Sequence, residues 1–192
     1  MDRIGTALAL ATKLHEGQIR TGADGVPYPY IAHPMAVAAL VLEHGGTGAE
    51  VAAALLHDGI EDGPPGSAEA IGHMLGAEVL AIVRGCSDSE KGGVVLPWKA
   101  RKIAYLGHLE NAPPNVKLVS CADKFHNASA IVSDLKVLGP PFFKAFAGGQ
   151  DGVLWYYEEL VKVFNAGGAP AALARKLAGA VAEMKKLALG CA

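Results

Sequence analysis

The sequence predicts a single all-α domain of the helical-bundle type, and three observations carry that expectation. Half of the 192 residues are apolar (51%) but only 6% are aromatic, so Ala, Leu and Val dominate, which suits closely packed helices better than an aromatic-rich sandwich. Near the C-terminus, Leu173, Leu177, Val181, Met184 and Leu187 form an apolar stripe at helical spacing. Glycine and proline punctuate the chain between candidate helices, as in Gly63-Pro64-Pro65-Gly66 and Gly139-Pro140-Pro141, and no stretch alternates long enough for a half-buried strand.

The elements follow in order. Residues 4–15 form a helix. Residues 17–34, broken by Gly22, Gly25, Pro27, Pro29 and Pro34, read as an ordered loop. Residues 35–43 are helical, with Pro34 at the first turn, where a missing N–H costs no helical bond. The run His44-Gly45-Gly46-Thr47-Gly48 stops that helix, and residues 49–61 form the next. Ser67 and Glu69 open a short helix and residues 77–83 give another, while the polar, Gly-rich residues 87–96 read as a mobile loop. Residues 97–109 are helical, with Lys99, Arg101 and Lys102 on the early turns. A long helix covers 115–138, and residues 153–164 and 171–189 complete the set. No internal repeat or linker divides residues 1–192, so one domain is expected.

Composition narrows the function. A formal net charge of −2 gives no basic excess for a nucleic-acid polymer and no polybasic stretch for anionic lipid. No uninterrupted apolar run reaches the roughly 18 residues a membrane span needs. Cys86, Cys121 and Cys191 are scattered and odd in number, which fits a reducing compartment. Met1-Asp2-Arg3-Ile4 lacks a signal peptide's basic start and apolar run. A cytoplasmic protein is expected.

The segment Leu55-Leu56-His57-Asp58-Gly59-Ile60-Glu61-Asp62 carries the chemistry. Read as continuous helix, it gathers an imidazole and three carboxylates toward one side, beside Ala52, Ala53, Leu55 and Leu56. Charges beside a core must be paired, hydrated or bound to a cation, and a metal is the economical solution. Four residues from three segments are candidate ligands: His33, His57, Asp58 and Asp123. Taken alone, His33 reads as a loop histidine and Asp123 as half of a surface pair with Lys124; together they make a mixed nitrogen and oxygen set. Cys121 has no partner at ligand spacing, which argues against a cysteine-type zinc site. The set suits an octahedral divalent ion such as Mn²⁺, with Fe²⁺, Co²⁺ or Mg²⁺ as alternatives.

The order His, adjacent His-Asp, then Asp resembles the HD superfamily of metal-dependent phosphohydrolases. The likeness extends further. Leu14-His15-Glu16-Gly17-Gln18-Ile19-Arg20, Gly25-Val26-Pro27-Tyr28 and Tyr30-Ile31-Ala32-His33-Pro34 are similar to the N-terminal signature of the hydrolase domain of RelA/SpoT-type alarmone enzymes. Leu55 to Asp62 matches their LLHDxxED segment. Val116-Lys117-Leu118 with Ala122-Asp123-Lys124-Phe125-His126-Asn127 matches their VKLADKLHN segment, with a longer junction at Val119-Ser120-Cys121. The match spans about 5–165, leaving a packing helix at 170–189, and implies a small stand-alone alarmone hydrolase.

That resemblance implies roles. His33, His57, Asp58 and Asp123 fall on the metal ligands, and Glu61 and Asp62 on the catalytic acidic pair. Arg20 falls near the guanine, Asn127 near the sugar, and Tyr156 on the nucleoside side. The implied activity is Mn²⁺-dependent removal of the 3′-diphosphate of guanosine tetra- or pentaphosphate as pyrophosphate. Two alternatives stand beside it: a phosphohydrolase of another nucleotide or phosphorylated cofactor, and a nucleotide-binding sensor without turnover. Both carboxylates of the Glu61-Asp62 pair are retained, which weighs against the sensor. This chain departs from the pattern at Thr21, a commonly basic position, at the extra Pro29, and in residues 87–96, whose one basic residue is Lys91. These departures bear on base and diphosphate selection. Phe142, Phe143 and Phe146 have three readings: ordinary packing, pocket cover, or a homo-oligomer contact.

Overall fold

One long helix organises the domain. In the computed structural model, which describes residues 2–88 and 96–190, Pro114–Leu138 forms a helix against which five others pack. In chain order the helices are α1 (Arg3–Leu14), α2 (Ala32–Glu43), α3 (Gly48–Leu56), α4 (Ser67–Leu75), α5 (Ala77–Cys86), α6 (Trp98–Asn111), α7 (Pro114–Leu138), α8 (Gly149–Asn165) and α9 (Ala171–Ala188). A 3₁₀ segment, Pro140–Ala145, follows α7. The all-α expectation holds. Cys191 and most of the expected mobile loop, including Lys91, lie outside the described residues.

Helix α7 packs against α2, α3, α5 and α9, and more lightly against α8. Its N-terminal half is nearly all buried, from Val116 to Asp123, as a central helix must be, whereas α9 buries one face: Leu173, Ala174, Leu177, Val181, Met184 and Ala188. Pro114 sits in the first turn of α7, where its lost N–H would have no helical partner. Lys117 is buried yet satisfied: its Nζ donates to the carbonyls of Glu110 (3.0 Å) and Gly167 (3.2 Å).

Three local expectations need correction. The ordered loop at 17–34 contains a short antiparallel hairpin, β1 (Ile19–Thr21) with β2 (Pro27–Pro29), in the register Ile19↔Pro29, Arg20↔Tyr28 and Thr21↔Pro27. Prolines in β2 hid it, because a proline is tolerated only at the unpaired side of an edge strand. Such a hairpin is marginal alone. Here Gln18 Nε2 ties it to the carbonyl of Asp62 (2.9 Å), and the Ala23 N–H donates to Asp134 Oδ1 of α7 (3.0 Å). Second, α2 begins at Ala32, so His33 lies inside its first turn rather than in the preceding loop.

Third, α3 ends at Leu56, and residues 57–62 form turns rather than continuing helix. The Gly59 N–H bonds to the Leu56 carbonyl (2.8 Å) and the Asp62 N–H to the Asp58 carbonyl (2.9 Å). Gly63 makes the tight exit possible: a Cβ there would lie 2.2 Å from the Gly59 carbonyl oxygen and 2.6 Å from Ser67 Oγ. The single helical face read for Glu61 and Asp62 is therefore replaced by a turn, in which Glu61 is half-buried and Asp62 exposed.

Candidate metal centre and nucleotide cleft

Three backbone segments deliver the four sequence-chosen donors to one point. His33 comes from the first turn of α2, His57 and Asp58 from the end of α3, and Asp123 from the buried half of α7. Both histidines are only 2% exposed. His33 Nε2 lies 3.2 Å from His57 Nε2, 3.5 Å from Asp58 Oδ2 and 3.1 Å from Asp123 Oδ1. His57 Nε2 lies 3.1 Å from Asp58 Oδ2 and 3.5 Å from Asp123 Oδ1. Ligands about 2.1 Å from an octahedral ion and at right angles to one another are spaced about 3 Å apart, so these separations suit a single small cation.

The tautomers suit it too. His57 Nδ1 lies 2.7 Å from the Ala54 carbonyl, which can only accept, so the Nδ1 proton is committed and the neutral ring turns the Nε2 lone pair inward. His33 Nδ1 lies 2.8 Å from His126 Nδ1. Burial, then the neighbouring His33 and Arg20, push His126 down to about 4, so it stays neutral and can accept from His33. With both rings neutral, two carboxylate charges meet the Lys124 ammonium at Asp123, and the net negative charge left over favours a bound cation. Without one, protons must serve. Burial alone would lower His57, but Asp58 and Asp123 overcome it and hold the ring well above its ordinary value.

The two aspartates are held well below the usual carboxylate range. Burial works against them, and His57 outweighs it for Asp58, while Lys124 and His57 do so for Asp123. Tyr30 OH donates to Asp58 Oδ2 (2.5 Å), and burial beside that carboxylate keeps Tyr30 a neutral phenol. Lys124 Nζ contacts Asp123 Oδ2 (2.6 Å), and Asn127 Nδ2 donates to Asp123 Oδ1 (2.6 Å).

Glu61 and Asp62 part company. Asp88 N–H donates to Glu61 Oε1 (2.9 Å), and Asp88 is gripped by Arg101 (2.7 Å) and Lys102 (2.5 Å) of α6. Burial, reinforced by Asp88, pushes Glu61 up to about 7. Asp62 is exposed, and its backbone carbonyl anchors the hairpin through Gln18.

A cleft of about 350 Å³ opens beside the cluster and brings together Arg20, Asn127 and Tyr156. Arg20 Nη2 donates to Asn127 Oδ1 (3.0 Å), and its guanidinium lies over the Tyr30 ring, 5.7 Å from the centroid. Arg20 Nη1 and Tyr156 OH are buried with no hydrogen-bond partner among the described residues, as expected of groups awaiting a polar ligand. Lys102 and Lys124 line the same cleft, with Thr21 at its edge. Phe142 and Phe146 wall it, and Phe143 is buried below.

Sequence reasoning missed His126, Tyr30, Lys124, Asp88 and Lys102. His126 carried a usable signal, because it lies three residues after Asp123 on the same face of α7. Asp88 and Lys102 carried none, since their role depends on how α5, α6 and the turn after α3 meet.

The fold and its donor set define a metal-binding helical domain. A family model for the HD domain matches residues 7–137, and the chain belongs to the HD-domain family. Over 136 residues it is 35% identical to MESH1 of Xenopus tropicalis, a guanosine-3′,5′-bis(diphosphate) 3′-pyrophosphohydrolase, covering 70% of each chain. It is 34% identical over 130 residues to the guanosine-3′,5′-bis(diphosphate) 3′-pyrophosphohydrolase of Haemophilus influenzae, covering 65% of this chain and 18% of that one. The chain thus spans about a fifth of the length of the bacterial relatives it matches. The solved structure of a metazoan ortholog of SpoT, described as hydrolysing ppGpp, superposes with a TM-score of 0.76 at 23% identity, covering 95% of this chain and 96% of that one. That likeness carries the fold. No described helix is long and apolar enough to cross a membrane.

Proposed function

We propose that the protein is a cytoplasmic hydrolase that removes the 3′-diphosphate of guanosine tetra- and pentaphosphate as pyrophosphate, with Mn²⁺ held by His33, His57, Asp58 and Asp123. One observation supports this most. Asp123, Asn127 and Arg20 form an unbroken hydrogen-bonded chain from the metal cluster into the cleft, so a phosphate at the cluster places its sugar and base along those side chains. The names of the relatives supply the substrate.

A divalent cation in this donor set neutralises phosphate charge and acidifies water. The protein's residues do the rest. Lys102 and Lys124 flank the diphosphate, and Arg20 offers its free Nη1 to the nucleotide. The attacking water adds its oxygen to the phosphorus bonded to O3′. The P–O3′ bond breaks, pyrophosphate departs and O3′ takes a proton. Glu61, poised near neutrality, accepts the proton from the water, and Asp62 serves proton transfer to the leaving oxygen. Tyr156 OH contacts the nucleoside side.

The test is incubation with ppGpp and Mn²⁺ beside a panel of 2′- and 3′-phosphorylated nucleotides, with products separated by anion exchange. Equal amounts of GDP and pyrophosphate are expected. Phosphate from another nucleotide with nothing from ppGpp overturns the alarmone reading. Binding without any product favours the sensor.

A further inference from the structure

The far end of the cleft, away from the metal cluster, differs from the rest. Cations dominate near Asp123, but beyond Asn127 the walls are Ala130, Ile131, Phe142 and Phe146, and the charged group there is a carboxylate, Asp134. Asp123, Asn127 and Asp134 lie four and seven residues apart in sequence, so they share one face of α7 and form a polar line along the cleft. Asp134 Oδ1 accepts the Ala23 N–H (3.0 Å), which fixes the side chain between α7 and the hairpin. Its Oδ2 has no hydrogen-bond partner among the described residues, and an ionised carboxylate has lone pairs to spare on both oxygens.

We infer that Asp134 selects the base, accepting the N1–H and N2–H of guanine while Phe142 and Phe146 cover the ring; this rests on a nucleotide occupying the cleft as proposed above. An anionic acceptor is a poor neighbour for the phosphates, which the cations hold at the other end. It is well matched to a base edge with two adjacent donors. Guanine presents both, hypoxanthine only N1–H, and adenine turns the N1 lone pair toward the carboxylate. A carboxylate facing a lone pair in the closed cleft loses a charge-assisted hydrogen bond and gains repulsion.

The experiment is calorimetric titration of the Mn²⁺-loaded protein with GDP, IDP and ADP, for wild type and Asp134→Asn. The asparagine keeps an oxygen for the Ala23 N–H and replaces the second acceptor with a donor. Wild type should bind GDP best, IDP next and ADP least, with GDP at least about tenfold tighter than ADP. In Asp134→Asn the GDP-to-ADP ratio should shrink about tenfold or more, with Mn²⁺ content unchanged. Equal wild-type affinities, no binding of GDP, or an unchanged ratio in a folded variant would overturn the inference. If the variant does not fold, the wild-type order of the three nucleotides decides. GDP carries no 3′-phosphate, so this result is independent of turnover: failure to cleave ppGpp with the base order intact removes the alarmone reading and leaves the assignment of Asp134.

Discussion

At His57 the ring's orientation is settled by its own helix. The Ala54 carbonyl, three residues back, takes the Nδ1 proton and leaves Nε2 for a cation. His33 has no such local acceptor and depends on His126, ninety-three residues away in sequence. His126→Ala should therefore weaken Mn²⁺ binding about tenfold or more, measured by metal titration, with helix content unchanged. Asp58→Ala or Asp123→Ala should remove the metal altogether; stoichiometric Mn²⁺ in the double variant would rule out the ligand assignment. Glu61 gives a pH signature. Its carboxyl, pushed up to about 7 by burial and Asp88, is protonated below that value and cannot accept a proton. Turnover should fall as pH drops below about 7, and Glu61→Gln should be slow at every pH with this limb gone. A retained limb in the glutamine variant would assign the titration to another group.

At the scale of elements, the turn after α3 carries both the donors His57 and Asp58 and the acidic pair Glu61 and Asp62. It is held by the Gly59 and Asp62 N–H bonds and by the absence of a side chain at Gly63. A methyl at Gly63 meets backbone oxygen, which cannot swing aside as a side-chain tip can. Gly63→Ala should cost about 1–3 kcal/mol, read from the urea midpoint, and lower turnover by displacing Glu61. Normal stability with normal turnover would show that the turn re-forms freely. The hairpin makes the complementary point. Its two three-residue strands are mostly exposed, and its side chains Gln18 and Arg20 are placed by bonds to Asp62 and Asn127. Local pattern could not reveal strands whose pairing is supported from outside.

Over the whole molecule, α7 bears load on both sides. One face supplies Asp123 to the metal cluster and Asn127 and Asp134 to the cleft, and α9 braces the helix from elsewhere. Leu177 of α9 is fully buried and distant from the donors in sequence. Leu177→Ala should cost about 2–5 kcal/mol. At about 2–4 °C per kcal/mol for a domain of this size, the melting temperature should drop clearly, while turnover per folded molecule at 25 °C is kept. A loss of turnover in the folded variant would mean that α9 sets the position of Asp123 and does more than hold the bundle together.

Much of this protein is written locally. Helices from 3.6-residue spacing, their stops from glycine and proline, and a candidate ligand set from the order of His33, His57-Asp58 and Asp123 depend only on near neighbours and residue chemistry. What needed the tertiary structure depends on distances between segments. The turn at 57–62, the gripping of Asp88 by Arg101 and Lys102, the His33–His126 pair and the carboxylate at the base end of the cleft each join residues that sequence keeps apart. A single chain states which groups are present, but the potential each group feels falls with distance and rises with burial, and both are decided only when α3, α6 and α7 are packed.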